Sequence, residues 1–192
     1  GWGCDLKMME PVADALRETH RTLLIDLPGH GESGRPPEPW GVPEYAACVN
    51  QLLNRLAFLP CDIIAHSFGC RIATWMEGNH PGLFDRMVFT GAAGIRPKPS
   101  PEAQKRSARY RQLKRWCDRM TGIPPLRGAG EKAAEMLRKK YGSADYNALD
   151  EEMRRTFVKV ILQDLTDLYA HFHASTLLIW GDMDTETPMW MA

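Results

Sequence analysis

The sequence predicts an α/β protein built on a mainly parallel sheet with flanking helices, interrupted by an inserted all-helical cap. Two observations carry this. Apolar runs of strand length alternate with longer helical patterns over the first 94 residues, the rhythm of β-α-β crossovers. Between residues 94 and 175 the strand signal stops and three helical patterns follow in succession, before one further strand at residues 176–180. The 192 residues, 44% hydrophobic and 25% charged, suffice for a sizeable core and exclude a disordered or fibrous chain.

Strands are predicted at residues 21–26, 61–66, 86–91 and 176–180, where short apolar runs end at glycine, proline or polar clusters. Helices are predicted at residues 7–19, 43–58 and 68–79, each closed by a loop residue or proline. The insertion supplies helices at residues 101–120, 131–141 and 148–169. In the last of these, Met153, Phe157, Val160, Ile161, Leu165 and Leu168 recur at helical spacing, so one stripe must be covered by the sheet edge or by the other inserted helices. Residues 94–101 and 122–130 are rich in proline and glycine and are predicted as hinges. The domain expectation is a core of residues 1–94 and 175–192 around a cap of residues 95–174.

Charge and cysteine usage narrow the function classes. With 24 basic and 24 acidic residues, no global field draws the chain to nucleic acid or an anionic membrane. No apolar run approaches the roughly 20 residues needed to span a bilayer. Five scattered cysteines without a C-x-x-C pair suggest neither a disulfide framework nor a zinc site, which points to a reducing, cytoplasmic setting. The chain opens without methionine, so the lack of a leader is uninformative.

The stretch Cys61-Asp62-Ile63-Ile64-Ala65-His66-Ser67-Phe68-Gly69 runs from strand into helix through small-x-Ser-x-Gly. Such a turn lifts a serine hydroxyl above the sheet and places the next backbone N–H at the positive end of a helix. Ser67 is the candidate nucleophile and the Phe68 amide a candidate oxyanion donor.

On these residues the chain resembles the α/β-hydrolase family, and the resemblance covers nearly its whole length. Asp26-Leu27-Pro28-Gly29-His30-Gly31-Glu32-Ser33 is similar to the family's D-x-P-G-x-G-x-S loop, and Gly1-Trp2-Gly3 to the end of its H-G-W-G oxyanion loop. Leu177-Leu178-Ile179-Trp180-Gly181-Asp182-Met183-Asp184 resembles the strand and turn bearing the acid of the triad. Ala65 stands where the family has its usual first glycine. The resemblance implies a Trp2 N–H paired with that of Phe68 around an oxyanion, and Asp184 as the acid, with Asp182 the nearby alternative. It also implies that no metal or organic cofactor is needed, and a serine rather than an aspartate nucleophile disfavours epoxide opening and dehalogenation.

The family takes its base from a histidine after the acid, yet none of the eight residues following Asp184 is histidine. His66 neighbours Ser67 but adjacent residues rarely face each other; His30 sits in a loop, His20 and His80 flank helix ends, and His171 and His173 precede the last strand. The expectation is a fragment that opens within the oxyanion loop and stops after the acid. By the same resemblance a strand is missing between residues 21–26 and 61–66, leaving a slot in the sheet and an inactive, aggregation-prone chain.

The resulting expectation is a serine hydrolase of a small carboxylic ester, lactone or thioester, whose cap roofs the pocket. Hydrolysis of an activated carbon–carbon bond and a non-catalytic hydrolase-fold binding protein are the alternatives. Lys105, Arg106, Arg109, Arg111, Lys114, Arg115 and Arg119, with Tyr110 and Trp116 interleaved, are read as a solvated cap surface, ahead of anionic-substrate attraction and of nucleic-acid binding. Asp26 is read as a loop-organising acceptor.

Overall fold

A computed structural model describes residues 1–96, 100–142 and 144–192. They fall into two compact units, Gly1–Arg96 with Glu151–Ala192, and Pro97–Asp150. Part of the predicted 94–101 hinge, residues 97–99, lies outside the described residues.

In the first unit, α1 (Glu10–Leu16) and α2 (Val42–Arg55) precede β1 (Cys61–His66), α3 (Phe68–Asn79) and β2 (Phe84–Thr90). After the second unit the chain returns through α7 (Glu151–Leu162) and a 3₁₀ segment, Thr166–His171, to β3 (Ser175–Ile179). The three strands are all parallel in the order β1-β2-β3, with His66 level with Thr90 and Thr90 with Ile179. Their carboxyl ends therefore line up along one rim. The core gathers Tyr45 and Val49 of α2, Phe68, Ile72 and Met76 of α3, and Phe84, Met87 and Phe89 of β2.

Helix α7 belongs to the first unit although residues 95–174 were expected to form one cap. Met153, Phe157, Val160 and Leu165 of the predicted stripe are buried, whereas Ile161 faces solvent. Polar ties reinforce the packing: the buried Arg71 guanidinium donates to the carbonyls of Val160 and Gln163 at 3.2 and 3.0 Å, and Trp40 N–H donates to Thr156 Oγ1. The single helix predicted at 148–169 is broken because Asp164 Oδ1 accepts from Thr166 N–H and O–H, a local turn that competes with the helical ladder.

Glu77 was not singled out by its sequence context, yet its carboxylate is fully buried. Oε1 accepts from the amides of Gly82, His173 and Ala174 at 3.0–3.2 Å, and Oε2 from Phe84 N–H at 3.3 Å. It joins the end of α3 to the starts of β2 and β3.

The predicted strand at residues 21–26 needs correction. Among the described residues this segment has no ladder partner, and β1 pairs only with β2. Leu23 and Ile25 still pack on the core, and Arg21 stacks over Phe58 with its Cζ 4.3 Å from the ring centre. Between this segment and β1 lies a cavity of about 360 Å³, lined also by Leu6, Met9 and Val12. Strand periodicity is local, but a strand exists only where another backbone accepts its hydrogen bonds. At the opposite edge every residue of β3 is exposed, Leu177, Leu178 and Ile179 among them. Two open edges and an apolar slot predict that the 192-residue chain binds 1-anilinonaphthalene-8-sulfonate and self-associates at micromolar concentration. A monodisperse monomer by light scattering, with no dye fluorescence, would contradict this.

The second unit comprises α4 (Pro101–Thr121), a 3₁₀ turn at Pro124–Leu126, α5 (Arg127–Tyr141) and α6 (Ala144–Ala148). The second predicted hinge, 122–130, is largely helical: α5 begins at Arg127. A Cβ at Gly130 would lie 2.8 Å from Thr121 N, so this glycine permits the close approach of α5 to the end of α4.

Candidate active site

Ser67 follows β1 directly and opens α3, with φ +48° and ψ −102°, one of two non-glycine residues at positive φ among those described. A non-glycine residue is held there only when its surroundings over-determine it. Ser67 N–H donates to Thr90 O at 3.1 Å, locking the turn to the end of β2. Gly69 lies close over the strand, where a Cβ would make ordinary contact with Ala65 Cβ at 3.6 Å. Ser67 Oγ makes no hydrogen bond to any described residue, and Phe68 N–H, at the first position of α3, has no helical carbonyl to bond.

Trp2 lies against this elbow. Its ring is 4.9 Å from that of Phe68, 4.9 Å from His30 and 5.0 Å from Phe157. Trp2 and Phe68, predicted as the two amide donors, are thus brought together by packing of their side chains.

The loop between them and α2 is organised by Asp26, as its sequence context suggests. Oδ1 accepts from Leu6 N–H at 2.7 Å and Oδ2 from Glu32 N–H at 3.0 Å, while Ser33 Oγ donates to Asp26 O. A Cβ at Gly31, φ +53°, would collide with that carboxylate. Replacing Gly31 by alanine is therefore expected to destabilise the unit by about 2 kcal/mol or more, read from the urea midpoint. An unchanged midpoint would contradict the turn geometry.

Asp184 lies five residues beyond β3, on the same rim. Thr187 donates to it twice, N–H to Oδ1 and O–H to Oδ2, both at 2.8 Å, and Glu186 N–H donates to Oδ1 at 2.9 Å. The Thr187 amide, then its hydroxyl, hold the carboxyl below the usual aspartate range, so it is ionised at neutral pH. A Cβ at Gly91, the residue after β2, would lie 3.2 Å from Asp184 Oδ2 and 3.5 Å from the His66 ring. Ser67, Gly91 and Asp184 therefore follow the ends of three successive parallel strands. Asp182 accepts no described hydrogen bond.

No described histidine hydrogen-bonds to Ser67 or Asp184. His66 Nδ1 lies 2.9 Å from both Thr90 O and Thr90 Oγ1, and His171 Nδ1 lies 3.1 Å from Gly78 O. His30 is only 5% exposed; its Nδ1 is 3.2 Å from Pro28 O, and burial pulls its pKa below the ordinary value, which keeps the ring neutral. Sequence reasoning missed how closely His30 packs on Trp2 and Phe68, and it missed Thr187. Only Thr187 left a signal, its spacing three residues after an aspartate. Cys70, the nearest thiol on α3, is fully buried with its pKa pushed up to about 12, so it offers no rival nucleophile. Among the described residues no cluster of three His, Cys, Asp or Glu could hold a metal ion, and no helix is long and apolar enough to cross a membrane.

Comparison with known proteins agrees with this layout. An uncharacterised protein of Mycobacterium tuberculosis is 34% identical over 80 residues, which are 42% of this chain and 24% of the relative. The chain thus spans about a quarter of that relative's length. Among solved structures, an esterase from Exiguobacterium antarcticum superposes with a TM-score of 0.67 at 18% identity, covering 99% of this chain and 74% of the esterase. A meta-cleavage product hydrolase from Pseudomonas fluorescens superposes with a TM-score of 0.60 at 19% identity, covering 95% and 69%. The family model described as the alpha/beta hydrolase fold matches residues 1–126. With the strand-to-helix serine turn, the parallel sheet and this match in agreement, the chain belongs to the α/β-hydrolase fold family.

Proposed function

We propose that this chain is the nucleophile-bearing part of a serine hydrolase acting on a small carboxylic ester, lactone or thioester. The observation that carries the reading is the Ser67 turn: positive φ, an unshared hydroxyl, and the first amide of α3 beside it. Ser67 Oγ attacks the acyl carbon and its proton passes to a base. The Trp2 and Phe68 amides hold the oxygen of the tetrahedral intermediate as negative charge develops on it. The intermediate expels the alcohol or thiol, which takes the proton, and water then releases the acid from the acyl-serine.

Asp184 orients the base. In this proposal the base is a histidine supplied from outside the 192 residues, since no described histidine reaches Ser67. The alternative fold-mate activity, carbon–carbon bond hydrolysis, uses the same serine and is separated by substrate alone. A cytoplasmic setting stays part of the proposal, resting on five unpaired cysteines.

The test is mass spectrometry of protein quenched during turnover of p-nitrophenyl butyrate, using a polypeptide that carries this segment together with its base. A butyryl increment on the Ser67 peptide is expected. Turnover without that adduct, unchanged in Ser67→Ala, would overturn the assignment. The 192-residue chain by itself should show no Ser67-dependent hydrolysis; activity abolished by Ser67→Ala would show that a base lies within it.

A second reading, a non-catalytic binding protein, is favoured by one observation, the absence of any described histidine bonded to Ser67 or Asp184. Failure of the longer polypeptide to turn over esters, lactones and thioesters, with a small molecule still bound, would select it.

A further inference from the structure

The helical unit carries a feature that the hydrolase reading does not use. Lys105, Arg106 and Arg109 lie near the start of α4, and Lys140 and Tyr141 end α5. The turn at Pro124–Leu126 folds α5 back along α4, and these residues, remote in sequence, line one concavity of about 350 Å³. That is the lower end of the range for small-molecule pockets.

Among the described residues the charge at this site is uncompensated by ion pairs. On the same two helices, Asp118 pairs with Lys114, Glu131 with Arg127 and Glu135 with Lys139, each with a cation four residues away. Glu102, in the first turn of α4, does not line the cavity. Lys105, Arg106, Arg109 and Lys140 form no ion pair with any described residue. Four cations around one concavity repel each other, weakly because all four face solvent, and an anion among them relieves that repulsion.

The wall is also ordered. The Arg106 guanidinium carbon lies 5.4 Å from the centre of the Tyr141 ring, and that ring is 5.4 Å from Tyr110. A guanidinium resting on an aromatic face keeps its edge free for bidentate bonds to a phosphoryl group, and the lysines add point charges. The volume leaves room for an organic part beside Tyr141.

We propose that this cavity binds the phosphoryl group of a small organic phosphate, either a phosphomonoester or a diphosphate, with Arg106, Arg109, Lys105 and Lys140 on the phosphate and Tyr141 against the organic part. The solvated cap surface expected for this helix then describes only the remainder of its cations, such as the ion-paired Lys114.

The full chain would be titrated calorimetrically with phenyl phosphate, pyrophosphate and inorganic phosphate at fixed ionic strength. Phenyl phosphate should bind more tightly than inorganic phosphate. Arg109→Gln and Lys140→Gln should each weaken phenyl phosphate and pyrophosphate by about tenfold, the size of a lost charge-assisted hydrogen bond. Lys114→Gln, outside the cavity, should change affinity less than about twofold. Tyr141→Leu should weaken phenyl phosphate while sparing pyrophosphate. All four positions are solvent-facing or partly so, and helical circular dichroism checks each variant; if Arg109→Gln loses helix, Lys140→Gln decides. No binding by the wild type at millimolar ligand, or equal weakening by Lys114→Gln, overturns the proposal. So does tighter, steeply salt-dependent binding of a single-stranded oligonucleotide, which would assign the surface to nucleic acid. Preferential binding to phosphatidic acid vesicles over phenyl phosphate would place the phosphoryl group on a lipid.

Discussion

Replacing Glu77 by leucine is expected to destabilise the first unit by about 2 kcal/mol or more, because four amides lose their acceptor at once, those of Phe84 and Ala174 being buried, and each unsatisfied buried N–H costs about 1–3 kcal/mol. The four belong to Gly82, Phe84, His173 and Ala174, so the loss falls on both the entry to β2 and the entry to β3. Glutamine separates charge from geometry. Glu77→Gln retains one oxygen for three of the amides but turns an NH₂ toward Phe84 N–H, a donor facing a donor, and should cost about 1–3 kcal/mol. Urea unfolding followed by circular dichroism at low protein concentration should rank Glu above Gln above Leu. Wild-type stability in the leucine variant would mean that water reaches these amides.

Ser67→Ala, in a polypeptide that carries the segment and its base, should lower kcat by about a thousandfold or more, leaving only the contribution of the amide donors and binding. Stability gives the complementary readout. Alanine keeps the Cβ at φ +48° and so keeps the strain, whereas Ser67→Gly removes it. The glycine variant should be more stable than the alanine variant by about 1 kcal/mol, although both lack the hydroxyl. A serine that merely fills a turn would give a small activity loss in Ser67→Ala. Equal stability of the two variants would show that the turn is not strained.

Much of this site is legible from local sequence. The run from Cys61 to Gly69 declares a strand, a turn and a helix within a few residues, and each is set by forces that act over that distance: β-branched packing, a small residue at the close approach, and a helix N-terminus. The Asp26 loop is partly local, since an aspartate five residues before a positive-φ glycine can accept from the amide just after it, that of Glu32, whereas the Leu6 amide it also holds comes from twenty residues earlier. Asp184 could be placed near the end of the last strand for the same reason.

What failed, failed where a partner distant in sequence decides. Residues 21–26 carry a strand pattern, but hydrogen bonds to a neighbouring backbone make a strand, and here the neighbouring space is a cavity. Helix α7 carries an apolar stripe without stating what it faces; Arg71, some ninety residues earlier, binds its last carbonyls and draws it into the first unit. Glu77 reads as an ordinary helical glutamate until chain reversal brings His173 and Ala174 to it. The cations of α4 face solvent, as a local reading has it, but only the return of α5 sets Lys140 and Tyr141 beside them. By itself the sequence determined the family, the serine turn and the local loops, because these depend on contacts a few residues apart. Only the tertiary structure decided which strands pair, which carboxylate holds the sheet together and which charges converge, because those energies arise between groups that the chain separates by tens of residues.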